Sequence, residues 1–235
     1  MERIFLSKLN VSAFTRCVTV VTAVLCLSLS PAYAQKQAHY KTYDLQTGRV
    51  INRFHTRVEN IPSGGYKVHW VIEEGNFKIV EDYVLGEDYE TLRWHVVDDQ
   101  RKIDYTGERK DNELLINGMV SGIQIQKIIQ LDDRVFYYNP KIGLVNFVLS
   151  EKKIDTFWGF RQDELKVYPM KAINKGVEVI SVGGEDVEAI KVFWTVNDFR
   201  SIFFNRTYWF RKSDGLYVKQ EAGIGKFREL VSEHP

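Results

Sequence analysis

The sequence predicts a mainly β protein: a single domain built on one strongly curved antiparallel sheet, a half-barrel or barrel, with one or two short helices. Three observations predict it. Apolar and polar residues alternate in run after run from residue 66 onward, the period of strands with one buried face. Turn residues punctuate these runs at short intervals. The chain is 44% hydrophobic and 13% aromatic, enough bulk for a bent sheet to wrap around, since each aromatic side chain buries about 150–250 Å².

The first segment stands apart from the fold. Arg3, Lys8 and Arg16 precede an almost uncharged apolar run from Cys17 to Leu29, and Pro31-Ala32-Tyr33-Ala34 ends in a small-x-small pattern. This reads as a signal peptide over residues 1–34, cleaved after Ala34, and places the single domain of residues 35–235 in the periplasm. The apolar run is shorter than the roughly 20 residues that a membrane helix needs. Both cysteines, Cys17 and Cys26, fall inside the leader, so the processed chain has no disulfide, thiolate metal site or cysteine nucleophile. Val24-Leu25 before Cys26 lacks the small residue that precedes a lipidated cysteine, so a freely soluble exported protein is expected.

The leader holds three basic residues and one acid of the 32 and 31 in the whole chain, leaving a net charge near −1. A nearly neutral domain without a basic face is not a nucleic-acid binder. At about 200 residues it buries on the order of 70% of its extended surface, so its core holds it without staples.

The elements follow in order. Tyr66, Val68, Trp70 and Ile72 form an inward row, and Phe77 and Ile79 repeat it after Glu73-Glu74-Gly75, so the two runs make a hairpin. Leu92, Trp94 and Val96 alternate with Arg93, His95 and Val97; Ile103 and Tyr105, then Leu115, then Ile123 and Ile125 continue the series. Residues 141–153 are apolar without clean alternation and read as a short helix or a buried crossing strand. Val177, Val179 and Ile180 lead through Gly183-Gly184 into Ile190, Val192, Trp194 and Val196. Asp198 is a candidate N-cap for one or two helical turns up to Asn205. Tyr208 to Arg211 and Leu216 to Val218 flank Ser213-Asp214-Gly215, and Asp-Gly between two such runs is a strong hairpin signal.

No catalytic constellation emerges. There is no Gly-x-Ser-x-Gly elbow and no phosphate-cradling glycine loop before a helix. None of the five histidines has the spacing of a zinc hydrolase. His69 and His95, each beside a tryptophan, could meet across a sheet, but nothing supplies a third ligand. Glu73, Glu74, Glu81, Asp82, Asp104 and Glu108 could furnish a glycosidase pair if two converged about 5–10 Å apart, which keeps a carbohydrate-active enzyme as a third reading. No cofactor and no metal is expected. An outer-membrane barrel is disfavoured because the strands carry charge on one face (Lys67 and Glu73, Arg93 and Asp98, Lys102 and Asp104) and the chain ends in a polar tail.

The aromatic supply is the remaining feature. Trp70, Trp94 and Trp194 lie within strands; they fill the core, or line the wall of a cavity for an apolar ligand, or both. The leading expectation is a non-enzymatic exported protein that binds a lipid or acyl chain on the concave face of its sheet. The alternative is an interaction module for another cell-envelope protein.

The segments Gly176-Val177-Glu178-Val179, Ala189-Ile190-Lys191-Val192 and Tyr208 to Leu216, with Tyr40-Lys41-Thr42-Tyr43 and Thr47-Gly48-Arg49 near the start, resemble an uncharacterised family of exported bacterial β-sheet proteins of unknown function. The resemblance spans most of Gln37 to Ala222. It implies a curved antiparallel sheet distantly similar to the periplasmic lipoprotein carriers LolA and LolB, and it carries no catalytic residues.

Overall fold

Alternating runs separated by glycine turns leave the backbone one economical solution, a meander of antiparallel hairpins. The computed structural model describes residues 36–150, 152–198, 205–221 and 225–234. The leader and the Asp198–Asn205 turns expected from the sequence lie wholly or largely outside these residues. Eight strands come first: β1 (Lys36–Asp44), β2 (Val50–Asn60), β3 (Tyr66–Glu74), β4 (Phe77–Leu85), β5 (Thr91–Asp98), β6 (Ile103–Lys110), β7 (Glu113–Val120) and β8 (Ile123–Gln130). The two-residue strand β9 (Phe136–Tyr137) and two short helices, α1 (Pro140–Gly143) and α2 (Val145–Leu149), follow. Six strands complete the fold: β10 (Ile154–Arg161), β11 (Lys166–Val182), β12 (Glu185–Val196), β13 (Asn205–Arg211), β14 (Tyr217–Glu221) and β15 (Lys226–His234).

All fifteen strands belong to one sheet, ordered β8-β7-β6-β5-β4-β3-β2-β1-β15-β14-β13-β12-β11-β10-β9. Neighbours are antiparallel except β9 and β10, which run parallel. The first and last strands pair at the centre (Tyr40 opposite Leu230, Thr42 opposite Arg228), so two meanders spread from them toward opposite edges. The chain then has to cross from edge strand β8 to edge strand β9. Laid flat, fifteen strands spaced about 4.8 Å apart would separate the edges by roughly 65 Å, yet the link from Gln130 to Phe136 reaches at most about 20 Å. The sheet must therefore roll up. Contacts across the gap agree: Lys127 Nζ on β8 donates to the Leu165 carbonyl at 2.6 Å, and Trp94 meets Phe136 at 5.4 Å. No ladder joins β8 to β9, so the roll stays open.

The concave face holds one hydrophobic core that takes Tyr40, Phe54, Trp70, Trp94, Phe136, Phe157, Phe210 and Tyr217 from strands all around the sheet. The apolar stretch after Lys141 is helical, capped at its start by Asn139, whose side chain accepts from the Lys141 amide. It buries Leu144, Val145, Phe147 and Val148 in the concavity. Both hairpin turns read from the sequence are present, with Gly75 and Gly215 at φ 60° and 71°, a left-handed conformation that glycine adopts without a Cβ clash.

Several details differ from the sequence reading: Phe77, Ile123, Val177 and Val179, read as parts of apolar rows, are exposed, and two strands are out of the expected phase. Leu92 is turned outward, because a register shift between Val84 and Leu85 sets Leu85 opposite Thr91. Such a bulge resets the alternation, and Thr91 takes the inward place, buried. On β7 the inward residues are Leu114 and Ile116, both fully buried, while Leu115 faces out. Ile116 pairs with Gly107, and Leu114 with Arg109, so the phase of β6 fixes which face of β7 turns inward.

Candidate functional site

Fifteen strands enclose more space than their side chains fill. Two adjoining pockets, both open toward solvent, remain on the concave side. The larger, about 420 Å³, is walled by Phe54, Trp70 and Ile72 on one side and by Tyr138, Pro140 and Phe160 on the other. The smaller, about 120 Å³, is mainly apolar and is lined by Tyr137, Phe157, Met170, Trp194 and Val196 among others. Tyr138, Pro140, Phe160 and Arg161 border both.

The larger cavity also carries charge. Glu81 sits in the inward phase of β4, opposite Trp70, and is buried. One of its oxygens accepts from the Tyr83 hydroxyl and the other from Gln162 Nε2 at 3.0 Å. Gln162, at the tip of the β10–β11 hairpin, also donates to the Tyr138 hydroxyl, which lies 3.3 Å from that of Tyr105. This network pins the hairpin tip across the interior onto β4. Burial first, then the Glu81 charge, pushes the Tyr83 and Tyr138 hydroxyls well above the ordinary phenol range, so both stay protonated.

Two cations without an ion-pair partner among the described residues face the same space. Lys141, in the first turn of α1, is half-buried and lines the cavity; its Nζ lies 5.5 Å from the centre of the Trp70 ring. Arg228, in the inward phase of β15, stacks its guanidinium 3.6 Å from the centre of the Phe54 ring and donates from Nε to Thr42 Oγ1 at 3.0 Å. Burial lowers the Lys141 ammonium to about 7; Arg228 and Arg206 lower it further while Glu81 opposes them.

The three tryptophans singled out from the sequence separate. Trp70 walls the larger cavity and Trp194 the smaller. Trp94 is packed in the core, stacked on Tyr138 at 5.0 Å and close to Phe160 at 5.5 Å. Its ring lies directly over Gly107, where a Cβ would come within 1.9 Å of it. His69 and His95 lie on the outer face, each beside an aspartate: Asp82 at 2.7 Å and Asp104 at 2.8 Å. Among the described residues no group of three or more His, Cys, Asp or Glu side chains stands ready to hold a metal. Of the six carboxylates read as candidates, Glu81 alone is buried.

Lys141, Arg228 and Gln162 escaped the sequence reading. Glu81 and Arg228 did leave a signal, as charged residues at positions where the alternating pattern calls for apolar ones. Lys141 and Gln162 left none, since neither lies in an alternating run.

A rolled, incompletely closed antiparallel sheet with a partly filled interior is a β-barrel-like fold. No protein-family model matches the chain, and no curated protein does. Among solved structures, it is similar to a β-barrel-like protein of the domain of unknown function DUF1849 from Brucella abortus, with a TM-score of 0.53 over 86% of this chain and 97% of that one. The identity is 12%, so the likeness shows the fold. The hypothetical lipoprotein YmcC from Escherichia coli aligns over 98% of this chain and 100% of its own at 11% identity, with a TM-score of 0.35, too low to carry any argument.

Proposed function

We propose that the protein is a non-enzymatic, exported protein of the periplasm that holds a hydrophobic ligand, a lipid or an acyl chain, on the concave face of its rolled sheet. The observation that carries this reading is the space on the concave side: an apolar pocket lined by Phe157, Met170, Trp194 and Val196 adjoins a larger, more polar one of about 420 Å³ walled in part by Phe54, Trp70, Ile72 and Phe160, within the usual 300–1,000 Å³ of ligand sites. Burying a chain there would yield about 0.8 kcal/mol per methylene before the cost of association. The outer face supports a water-facing exterior, since Lys67, His69, Asp82 and Arg93 are exposed there. Among the described residues no helix is long and apolar enough to cross a membrane. The likeness to lipoprotein carriers expected from the sequence belongs to this reading and would add the acyl chain of a lipoprotein as a cargo.

Native mass spectrometry after detergent-free purification tests it. A co-purifying mass lost on collisional activation is expected; a bare protein that also takes up no added fatty acid or phospholipid refutes the reading. A second reading, docking of a cell-envelope protein, draws on the free edge of β8, where Ile123 and Ile128 are 68% and 57% exposed; reproducible cross-linking through that edge in intact cells would favour it.

A further inference from the structure

Two of the cations that line the larger cavity have no carboxylate bound to them. Four basic side chains line it: Arg101, Lys141, Arg161 and Arg228. Two of them are paired. Arg101 bonds Asp98, and Arg161 bonds Asp163 at 2.9 Å and Glu164 at 2.7 Å. Glu81 is occupied on both oxygens by Tyr83 and Gln162. Lys141 and Arg228 are left with aromatic faces and, for Arg228, the Thr42 and Tyr217 hydroxyls, and among the described residues neither forms an ion pair. Glu81, whose donors are neutral, offsets one of these two charges through space; holding a second cation out of water is costly, and an anion placed between Lys141 and Arg228 would return that cost. The apolar cavity lined by Phe157, Met170 and Trp194 begins across Tyr138 and Phe160 from this charged one.

Resting on the proposed function, we infer that the occupant is a single-chain amphiphile with an anionic head, seated at Lys141 and Arg228 with its chain running past Trp70 and Phe160 toward the apolar cavity. Carboxylate and phosphate heads share the required chemistry, and Arg228 can hold either through two parallel hydrogen bonds.

Isothermal titration of the purified protein at pH 6 with dodecanoate, dodecyl phosphate, dodecanol and inorganic phosphate tests this. Dodecanoate and dodecyl phosphate should each bind at least about tenfold more tightly than dodecanol, the scale of one charge-assisted hydrogen bond, and inorganic phosphate should bind far more weakly than either. Lys141→Met combined with Arg228→Met should abolish the preference, so that the ionic ligands bind this variant no more tightly than dodecanol does. Arg228→Lys, which keeps the charge, should keep the preference. Equal binding of dodecanol and dodecanoate by the unaltered protein would overturn the head-group assignment while sparing the chain-binding function. Inorganic phosphate binding as tightly as dodecyl phosphate would overturn the amphiphile. Binding of none of the chains would remove the proposed function itself.

Discussion

Gly107→Ala is a substitution whose sign depends on how the roll is packed. A glycine within a strand is ordinarily a weakness, and replacing it with alanine gains about 0.5–1 kcal/mol where the space is open. Here the added Cβ would lie 1.9, 2.1 and 2.3 Å from three atoms of the Trp94 ring, far inside contact distance. The ring cannot step aside, because Phe136, Tyr138 and Phe160 surround it at 5.4, 5.0 and 5.5 Å and Trp94 is 1% exposed. Overpacking by a single methyl costs about 1–3 kcal/mol, and complete loss of the Trp94 packing would cost about 3–5 kcal/mol, so a destabilisation of about 3 kcal/mol is expected. With an m-value of about 2 kcal/mol per M, the urea midpoint followed by circular dichroism should fall by roughly 1.5 M. Trp94→Leu removes the obstructing ring, so adding Gly107→Ala to it should cost at least 1 kcal/mol less than in the unaltered protein, by the usual scale of coupling between touching residues. A Gly107→Ala protein of unchanged or raised stability would refute the placement of Trp94.

Three further outcomes follow from the same structure. Glu81→Ala strands the Tyr83 hydroxyl and the Gln162 amide and should cost about 2–3 kcal/mol in urea unfolding, with Glu81→Gln costing less because it keeps an acceptor. Lys141 titrates near 7 when folded against 10.5 in its ordinary state, so between those values the unfolded chain holds the extra proton and stability rises with pH, by at most about 1.4 kcal/mol per unit. Lys141→Met should therefore stabilise the protein more at pH 6 than at pH 9, read from paired urea curves. Asp214 is held at about 2: burial pushes it up, but hydrogen bonds from Arg211 and the Leu216 amide outweigh that. Its stabilisation is present above about pH 4 and lost as pH falls toward 2, so Asp214→Asn should flatten that part of an acid-unfolding curve.

The sheet was legible in the sequence because strand alternation and turn chemistry are local properties. Tyr66, Val68, Trp70 and Ile72 with Gly75, and Tyr208 to Val218 around Asp214-Gly215, carry their own hairpins. Bulges are not local in this sense. Whether Leu92 or Thr91 turns inward depends on the partner strand, as does the choice of Leu114 over Leu115. The cavity was least legible, since its polar groups come from β4, α1, the β10–β11 tip and β15, and only the rolled sheet brings Glu81, Lys141, Gln162 and Arg228 together. Trp94 illustrates the same limit: in the sequence it matches Trp70 and Trp194, but only the pairing with β6 shows that its ring fills the space over Gly107 and walls neither pocket.

Quenching of tryptophan emission by a dibrominated octadecanoate tests most directly whether a chain enters the roll, because bromine quenches an indole only at close range. Emission of the unaltered protein should fall on addition of the ligand. Most of that fall should disappear when Trp70→Phe and Trp194→Phe remove the cavity indoles, and it should persist in Trp209→Phe, whose indole bonds Glu178. An unaltered protein whose emission does not change, or a fall that survives the double substitution, would contradict an interior open to an acyl chain.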